Sequence, residues 1–260
     1  MAALDQLPSP WRQDRLVCSD AVGLERSRLE ADGEALVTVT AHRSGTSVAA
    51  YGPAGSAARL VTALVSSGIL RGPLHWLTLP RDGDLPAAVA SELDVEPLPG
   101  WDWLSVDTAP AHQPRESDVV RLDPEADAEA IRDCLRAANP GTEADPSGSH
   151  EAGWWGVPSP GGHLLGVVGA SRRGSDRPGL ETWHLHGLGV HPAARREGLG
   201  RALTAAAVRA GLAAGAPWVS LGVWADNAPA LAMYAALGFR TDHRRRSYRP
   251  VGESVKHPRH

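Results

Sequence analysis

The stretch Val190-His191-Pro192-Ala193-Ala194-Arg195-Arg196-Glu197-Gly198-Leu199-Gly200-Arg201-Ala202-Leu203 decides the reading of this chain. An apolar strand ends, a proline-containing loop turns, and a helix begins at two closely spaced glycines. Gly198 and Gly200 carry no Cβ, so a ligand can approach the backbone, and the N–H groups of a first helical turn have no intrahelical partner. Such a helix end carries about half a positive charge, which favours phosphate. Arg195, Arg196 and Arg201 add full charges around the same point. Two rival glycine-rich readings fail on the letters. No Gly-Lys-Ser/Thr follows the turn, as a Walker loop requires, and Pro192 stands where a dinucleotide fingerprint begun at Gly187-Leu188-Gly189 needs its third glycine.

Working outward, the pattern predicts a strand over 181–190, a helix over 198–214, a strand over 218–224, a helix over 227–237 and a strand over 239–249. Upstream, residues 119–122 read as a strand. Asp123-Pro124-Glu125 starts a helix to about Ala138, and Asn139-Pro140-Gly141 stops it. A polar loop over 141–151 leads to a hairpin formed by 153–157 and 163–170. The first half alternates in the same way: strands at 35–40, 47–51, 74–79 and 101–106, and helices at 56–70, capped by Ser56, and at 85–93. The proline-containing stretch 108–116 is the expected linker. The expected units are therefore 1–112, a supporting α/β half, 117–250, the working domain, and 251–260, a polar frayed tail.

Charge and cysteine content narrow the function. With 26 basic and 30 acidic residues the net charge is −4, so there is no overall positive field to draw in a nucleic acid. Lys256 is the only lysine, which leaves arginine to grip anions. Cys18 and Cys134 form no metal-ligand spacing and no disulfide framework, so no metal is expected and a reducing cytoplasmic setting fits. Neither a secretory leader nor a membrane-spanning apolar run is expected.

At this point the chain resembles the GNAT superfamily of CoA-dependent N-acyltransferases. Its signature, Arg or Gln, two residues, Gly, one residue, then Gly or Ala, is matched by Arg195, Gly198 and Gly200. A second block, Asn227-Ala228-Pro229-Ala230-Leu231-Ala232-Met233-Tyr234-Ala235-Ala236-Leu237-Gly238-Phe239, looks like the family's later helix. Arg196 departs from the pattern, since the family often has glycine there. The resemblance implies an α/β (α+β) fold, a mixed, splayed central sheet flanked by helices, preceded here by a second α/β half. That half carries no such signature, and we read it as a degenerate GNAT-like half in a tandem arrangement that does not bind CoA.

The resemblance also assigns residues. Acetyl-CoA, as co-substrate, would lie in the splay, its pantetheine arm on the backbone of Leu188 and Val190 and its pyrophosphate on the amides from Arg196 through Gly198, Leu199 and Gly200 to Arg201. Asn227 would touch the arm by its side chain. Tyr234, two helical turns further on, would be the acid for the departing thiolate. Many members hold a glutamate base four residues before the signature valine, and here that position is His186, with His184 and Glu181 as alternatives on the same strand. The expected reaction is acetyl transfer to an amine, small molecule or peptide, by direct attack. The competing reading is a CoA-binding module without turnover. Trp154, Trp155, Trp183, Trp218 and Trp224 are expected in the core, with Trp154 or Trp155 placed to line an acceptor cleft.

Overall fold

The computed structural model describes residues 3–43, 45–174 and 181–252, so the last eight residues of the expected tail lie outside the described residues. The described chain divides into two compact units, one of residues 3–103 with 242–252 and one of residues 104–241. The break thus falls inside a strand rather than in the expected linker, and most of the final strand returns to the first unit.

The first unit opens with four short helices, α1 (Ala3–Gln6), α2 (Ser9–Gln13), α3 (Arg15–Ser19) and α4 (Ala21–Leu24). Then come β1 (Ser27–Asp32), β2 (Ala35–His42), β3 (Gly45–Tyr51), α5 (Ala54–Ser66), β4 (Leu74–Pro80), α6 (Ala87–Glu92) and β5 (Val95–Val106). Strands β1, β2 and β3 pair antiparallel, and β4 lies parallel to β3 after the α5 crossover. Helix α5 buries Ala57, Leu60, Val61, Leu64 and Val65, at helical spacing, on the strands' Val37, Val48, Leu77 and Leu79. Ser56 is not its cap: Pro53 occupies that position, and the Ser56 hydroxyl accepts from Arg59 Nη2 at 3.0 Å.

In the second unit, β6 (Val120–Leu122), α7 (Ala128–Ala138), β7 (Glu151–Pro158), β8 (Leu164–Gly174) and β9 (Glu181–Val190) precede α8 (Leu199–Ala213), β10 (Val219–Trp224) and α9 (Ala228–Ala236). The first turn expected of α7 is instead a capping turn, because Asp123 Oδ1 takes the N–H groups of Glu125 and Ala126 and holds them out of the helix. Strands β6 to β9 run antiparallel in sequence, and β10 is parallel to β9 across the α8 crossover. From β7 onward the second unit thus repeats the grammar of β1 to β4: three antiparallel strands, a helix, and a parallel strand. One face of the second sheet packs Trp155, Val168, Trp183 and Leu185 against Leu199, Leu203 and Val208 of α8 and Tyr234 of α9. The opposite face packs Trp154 and Val167 against Ile131, Cys134 and Leu135 of α7.

The last strand, β11 (Arg240–Pro250), pairs antiparallel with β4 and carries a buried arginine into the first unit. Arg245 donates through Nη1 to the Ala50 carbonyl of β3 at 2.7 Å and through Nη2 to the Thr78 carbonyl of β4 at 3.4 Å, and lies 4.9 Å over the Tyr51 ring. Burial pulls its guanidinium down to about 10, against the opposing pull of Tyr51 and Asp14, so it is still charged at neutral pH. The buried cation is tolerated because carbonyls and an aromatic face surround it.

Two predictions follow from these environments. Arg245→Ala should destabilise the chain by about 2–4 kcal/mol, read as a lower denaturant midpoint, because it leaves two buried carbonyls unpaired beside a cavity. A midpoint equal to the parent's would show that the buried guanidinium contributes nothing. For the cysteines, burial, aided at Cys18 by Asp14, pushes both thiols up to about 11. At pH of about 7.5 fewer than roughly one thiol in a thousand is then ionised, and only the thiolate alkylates. Native protein should resist iodoacetamide at both positions and react at both once denatured; rapid native labelling would contradict this.

Candidate active site

Strand β9 governs the site. It pairs with β10 only at Trp183, His184 and Leu185, and beyond that point the two strands are no longer partners. On its other side, pairing with β8 advances three residues on β9, His186 to Gly189, for two on β8, Gly169 to Val167, which is a β-bulge. Gly187 makes it possible. Its φ is +60°, and a Cβ there would stand 2.9 Å from Ala144 Cβ and 3.0 Å from Trp154 Cη2.

The bulge reverses the faces of the strand. Before it, Leu185 lies in the core under α8 while His186 lies against Trp154 on the α7 face, ring centroids 5.2 Å apart. After it, a Cβ at Gly189 would touch Ala138 of α7, whereas Val190 Cγ2 lies beside Gly200 of α8. Strict alternation would have put Leu188 and Val190 on the His186 face. The cleft where β9 and β10 part is lined by His186, Gly187, Leu188, Thr204, Leu221 and Tyr234, among others.

At the end of β9 the loop enters α8 through two left-handed residues, Arg196 at φ +68° and Gly198 at φ +83°. A positive φ suits glycine at position 196, so arginine there carries strain of roughly 1–2 kcal/mol. Arg115 Nη1 holds the loop by donating to Glu197 Oε2 at 3.1 Å. A Cβ on Gly198 would meet nothing within 4 Å, and one on Gly200 only Met233 Sδ at 3.6 Å and Val190 Cγ2 at 3.7 Å. Neither glycine is demanded by side-chain crowding. The first-turn amides of Leu199, Gly200 and Arg201 have no intrahelical acceptor, the arrangement an anionic group fits.

Three expected ligands are engaged otherwise. Arg195 donates through Nε to the Val190 carbonyl at 3.2 Å and through Nη2 to the Ala138 carbonyl at 3.1 Å, so it ties the end of α7 to the end of β9. The same bond occupies the Val190 carbonyl, and Val190 is not among the cleft residues. Asn227 caps α9, its Oδ1 accepting from Ala230 N at 3.3 Å. Tyr234 is buried in the cleft wall, its ring 5.6 Å from that of Phe239. Burial pushes its hydroxyl well above the ordinary value. His184 is bound to Ser220 Oγ at 2.9 Å, and Glu181 is exposed beside Arg172, so neither alternative base is placed like His186.

Sequence reading missed Glu151. It falls at the end of a stretch read as polar loop, yet it opens β7, is half-buried, and brings Oε1 to 3.2 Å from His186 Nε2. Gly187 did carry a signal, since an isolated glycine within a strand pattern marks a bulge. Among the described residues no group of three or more His, Cys, Asp or Glu is placed to hold a metal ion, and no helix is long and apolar enough to cross a membrane.

The chain is similar to known proteins in sequence and in fold. The model of the acetyltransferase (GNAT) family matches residues 118–239. A mycothiol acetyltransferase of Streptomyces coelicolor is 33% identical over 184 residues, 69% of this chain and 52% of that protein. The chain spans about half the length of such curated relatives. Among solved structures, a GCN5-related N-acetyltransferase from Kribbella flavida superposes with a TM-score of 0.59 at 17% identity, covering 93% of this chain and 96% of that one. A tandem GNAT protein from the clavulanic acid biosynthesis pathway gives 0.50 at 17% identity, covering 97% and 93%. Residues 118–239 are an acetyltransferase domain of the GNAT family.

Proposed function

We propose that this chain transfers an acetyl group from acetyl-CoA to an amine. The observation that carries the reading is the parting of β9 from β10 beside an open helix N-terminus, with Tyr234 in the wall of the cleft between them. Leu188 backbone and the amides of Leu199, Gly200 and Arg201 are the groups that would hold the co-substrate, whose thioester supplies an activated acetyl carbon. Arg196 and Arg201 add charge for its phosphates. Arg195 acts by fixing the loop, through its two carbonyl bonds, and Asn227 by fixing the start of α9.

Tyr234 works as a hydrogen-bond donor. Its raised pKa keeps the proton on Oη at neutral pH, and it also makes full surrender of that proton to a thiolate, of reference pKa about 8.5, uphill. The hydroxyl therefore stabilises negative charge developing at sulfur while the proton remains chiefly on oxygen. His186, one side of the same cleft, is placed to take the proton that the amine sheds. The resemblance to mycothiol acetyltransferases suggests a small amine acceptor.

Two substitutions test this. Gly200→Ala fits the fold, since its Cβ makes ordinary contacts, and raises helix propensity. Gly200→Val adds bulk where backbone must meet phosphate, so affinity for CoA in calorimetry should fall at least about tenfold for Val in a folded protein, or 1.4 kcal/mol. Unchanged affinity would remove this loop from the site. Tyr234→Phe takes away a hydroxyl with no hydrogen-bond partner among the described residues, so stability and CoA affinity should hold while kcat drops about 10²–10⁴-fold. Turnover within twofold of the parent, with chemistry limiting, would assign Tyr234 to packing alone. CoA binding with no thiol release across amino acid amides, dipeptides and aminosugars would favour a binding module without turnover.

A further inference from the structure

The α7 face of the second sheet holds a set of buried polar atoms whose hydrogen bonds are unmade: Glu151 Oε2, His186 Nε2 and Trp154 Nε1. Burying such groups unpaired costs about 1–3 kcal/mol each, more for a charge, so a cluster of them beside a cleft is a site held ready for something. We propose that Glu151 is the positioning residue for the acceptor's base: its carboxylate keeps a proton on His186 Nε2, so that Nδ1 receives the proton from the attacking amine. The proposal rests on the acetyl-transfer reading and adds to it a carboxylate from β7, at a place no signature marks.

The geometry supports each part. Glu151 Oε1 lies 3.2 Å from His186 Nε2, within the distance of a bond but out of line for one. Nε2 is buried although about a fifth of the His186 side chain is exposed, so the ring turns its other edge outward. Trp154 meets the ring nearly edge-on, interplanar angle 78°. Room for both rings is reserved on β8, where a Cβ at Gly169 would come within 2.6 Å of His186 Cε1 and 2.7 Å of Trp154 Cζ2.

Other charged groups nearby have partners of their own. On β9, His184 bonds Ser220. Arg172 of β8 donates to the Glu151 carbonyl and sits beside Glu181. Arg132 of α7 and Asp145 of the following loop bind each other through two bonds, at 2.7 and 3.0 Å. Glu151 is therefore the charge that addresses the imidazole. In the step itself, one proton leaves the acceptor's ammonium for Nδ1 and the freed nitrogen lone pair attacks the thioester carbonyl carbon; the C–S bond then breaks, CoA leaves as the thiolate and takes up the second proton lost by the nitrogen, and the imidazolium is balanced by the Glu151 carboxylate against Nε2.

The test has two arms on the full chain. Long-range ¹H–¹⁵N spectra of the neutral His186 ring should show the Nε2-protonated tautomer in the parent, a measurement that needs neither a variant nor an acceptor. The Nδ1-protonated tautomer would overturn the proposal. In the second arm, kcat and KM are measured with the best amine of the panel above for the parent, Glu151→Gln and Glu151→Asp, and the same spectra are recorded for the variants. Glu151→Gln should lower kcat about tenfold or more with little change in KM, and should let the Nδ1-protonated tautomer of the neutral ring appear. Glu151→Asp should restore part of both. A merely structural role would lower activity and leave the tautomer as in the parent, and that result too would overturn the proposal. Calorimetry should show unaltered CoA affinity in both variants. If the parent turns over no amine, the acetyl-transfer reading fails, while the tautomer still decides the Glu151–His186 pair.

Discussion

The architecture of the site depends on one constraint: β9 leaves β10 after Leu185 while continuing alongside β8 to Val190. A strand that loses one neighbour exposes backbone N–H and C=O groups along a free edge, and such groups need partners. The bulge at Gly187 lies at the same place and bends the strand, as bulges do. Cleft, cleft-lining tyrosine and open helix N-terminus all follow from that parting. Helix α8 starts where β9 finishes, and α9 lays Tyr234 along the opening.

The first unit shows what happens when the same grammar is closed. Strands β3 and β4 correspond in order to β9 and β10, and α5 to α8. There, Arg245 spans the two strands, donating to the Ala50 carbonyl on one and the Thr78 carbonyl on the other. Carbonyls that could meet a ligand are spent on an arginine. The turn into α5 also lacks a basic cluster, having Gly52-Pro53-Ala54-Gly55-Ser56 where the second unit has three arginines around two glycines. The two units thus differ both across the parallel strand pair and at the turn that follows its first strand.

The bulge also divides labour across the second sheet. Leu185 and Val190 belong to the α8 side, and His186, between them in sequence, belongs to the α7 side. A strand of strict alternation could not put His186 on one face and Leu188 and Val190 on the other. The consequence is a cleft reached from two sides, with anion-accepting backbone on one and the Glu151, Trp154 and His186 cluster on the other. Arg195 links those sides by binding the last carbonyl of α7 and that of β9. The first arginine of the signature is thus a brace.

Local chemistry was legible in the letters. Strand β9 was read over its full length, and the starts of α8 and α9 to within a residue or so, because Gly198 and Asn227-Ala228-Pro229 act on the backbone immediately around them. Ser56 misled because a capping residue competes with its neighbours, and Pro53 won. The sequence by itself determined the element order from residue 35 onward, the helix N-terminus with its glycines, and the two motif blocks that name the family, since each rests on contacts a few residues long. Only the tertiary structure decided that Arg195 bonds the Ala138 carbonyl, that Arg245 bonds the Ala50 carbonyl, and that Glu151 meets His186. Those outcomes join residues 35 to 195 positions apart, and no local propensity carries information across such a separation.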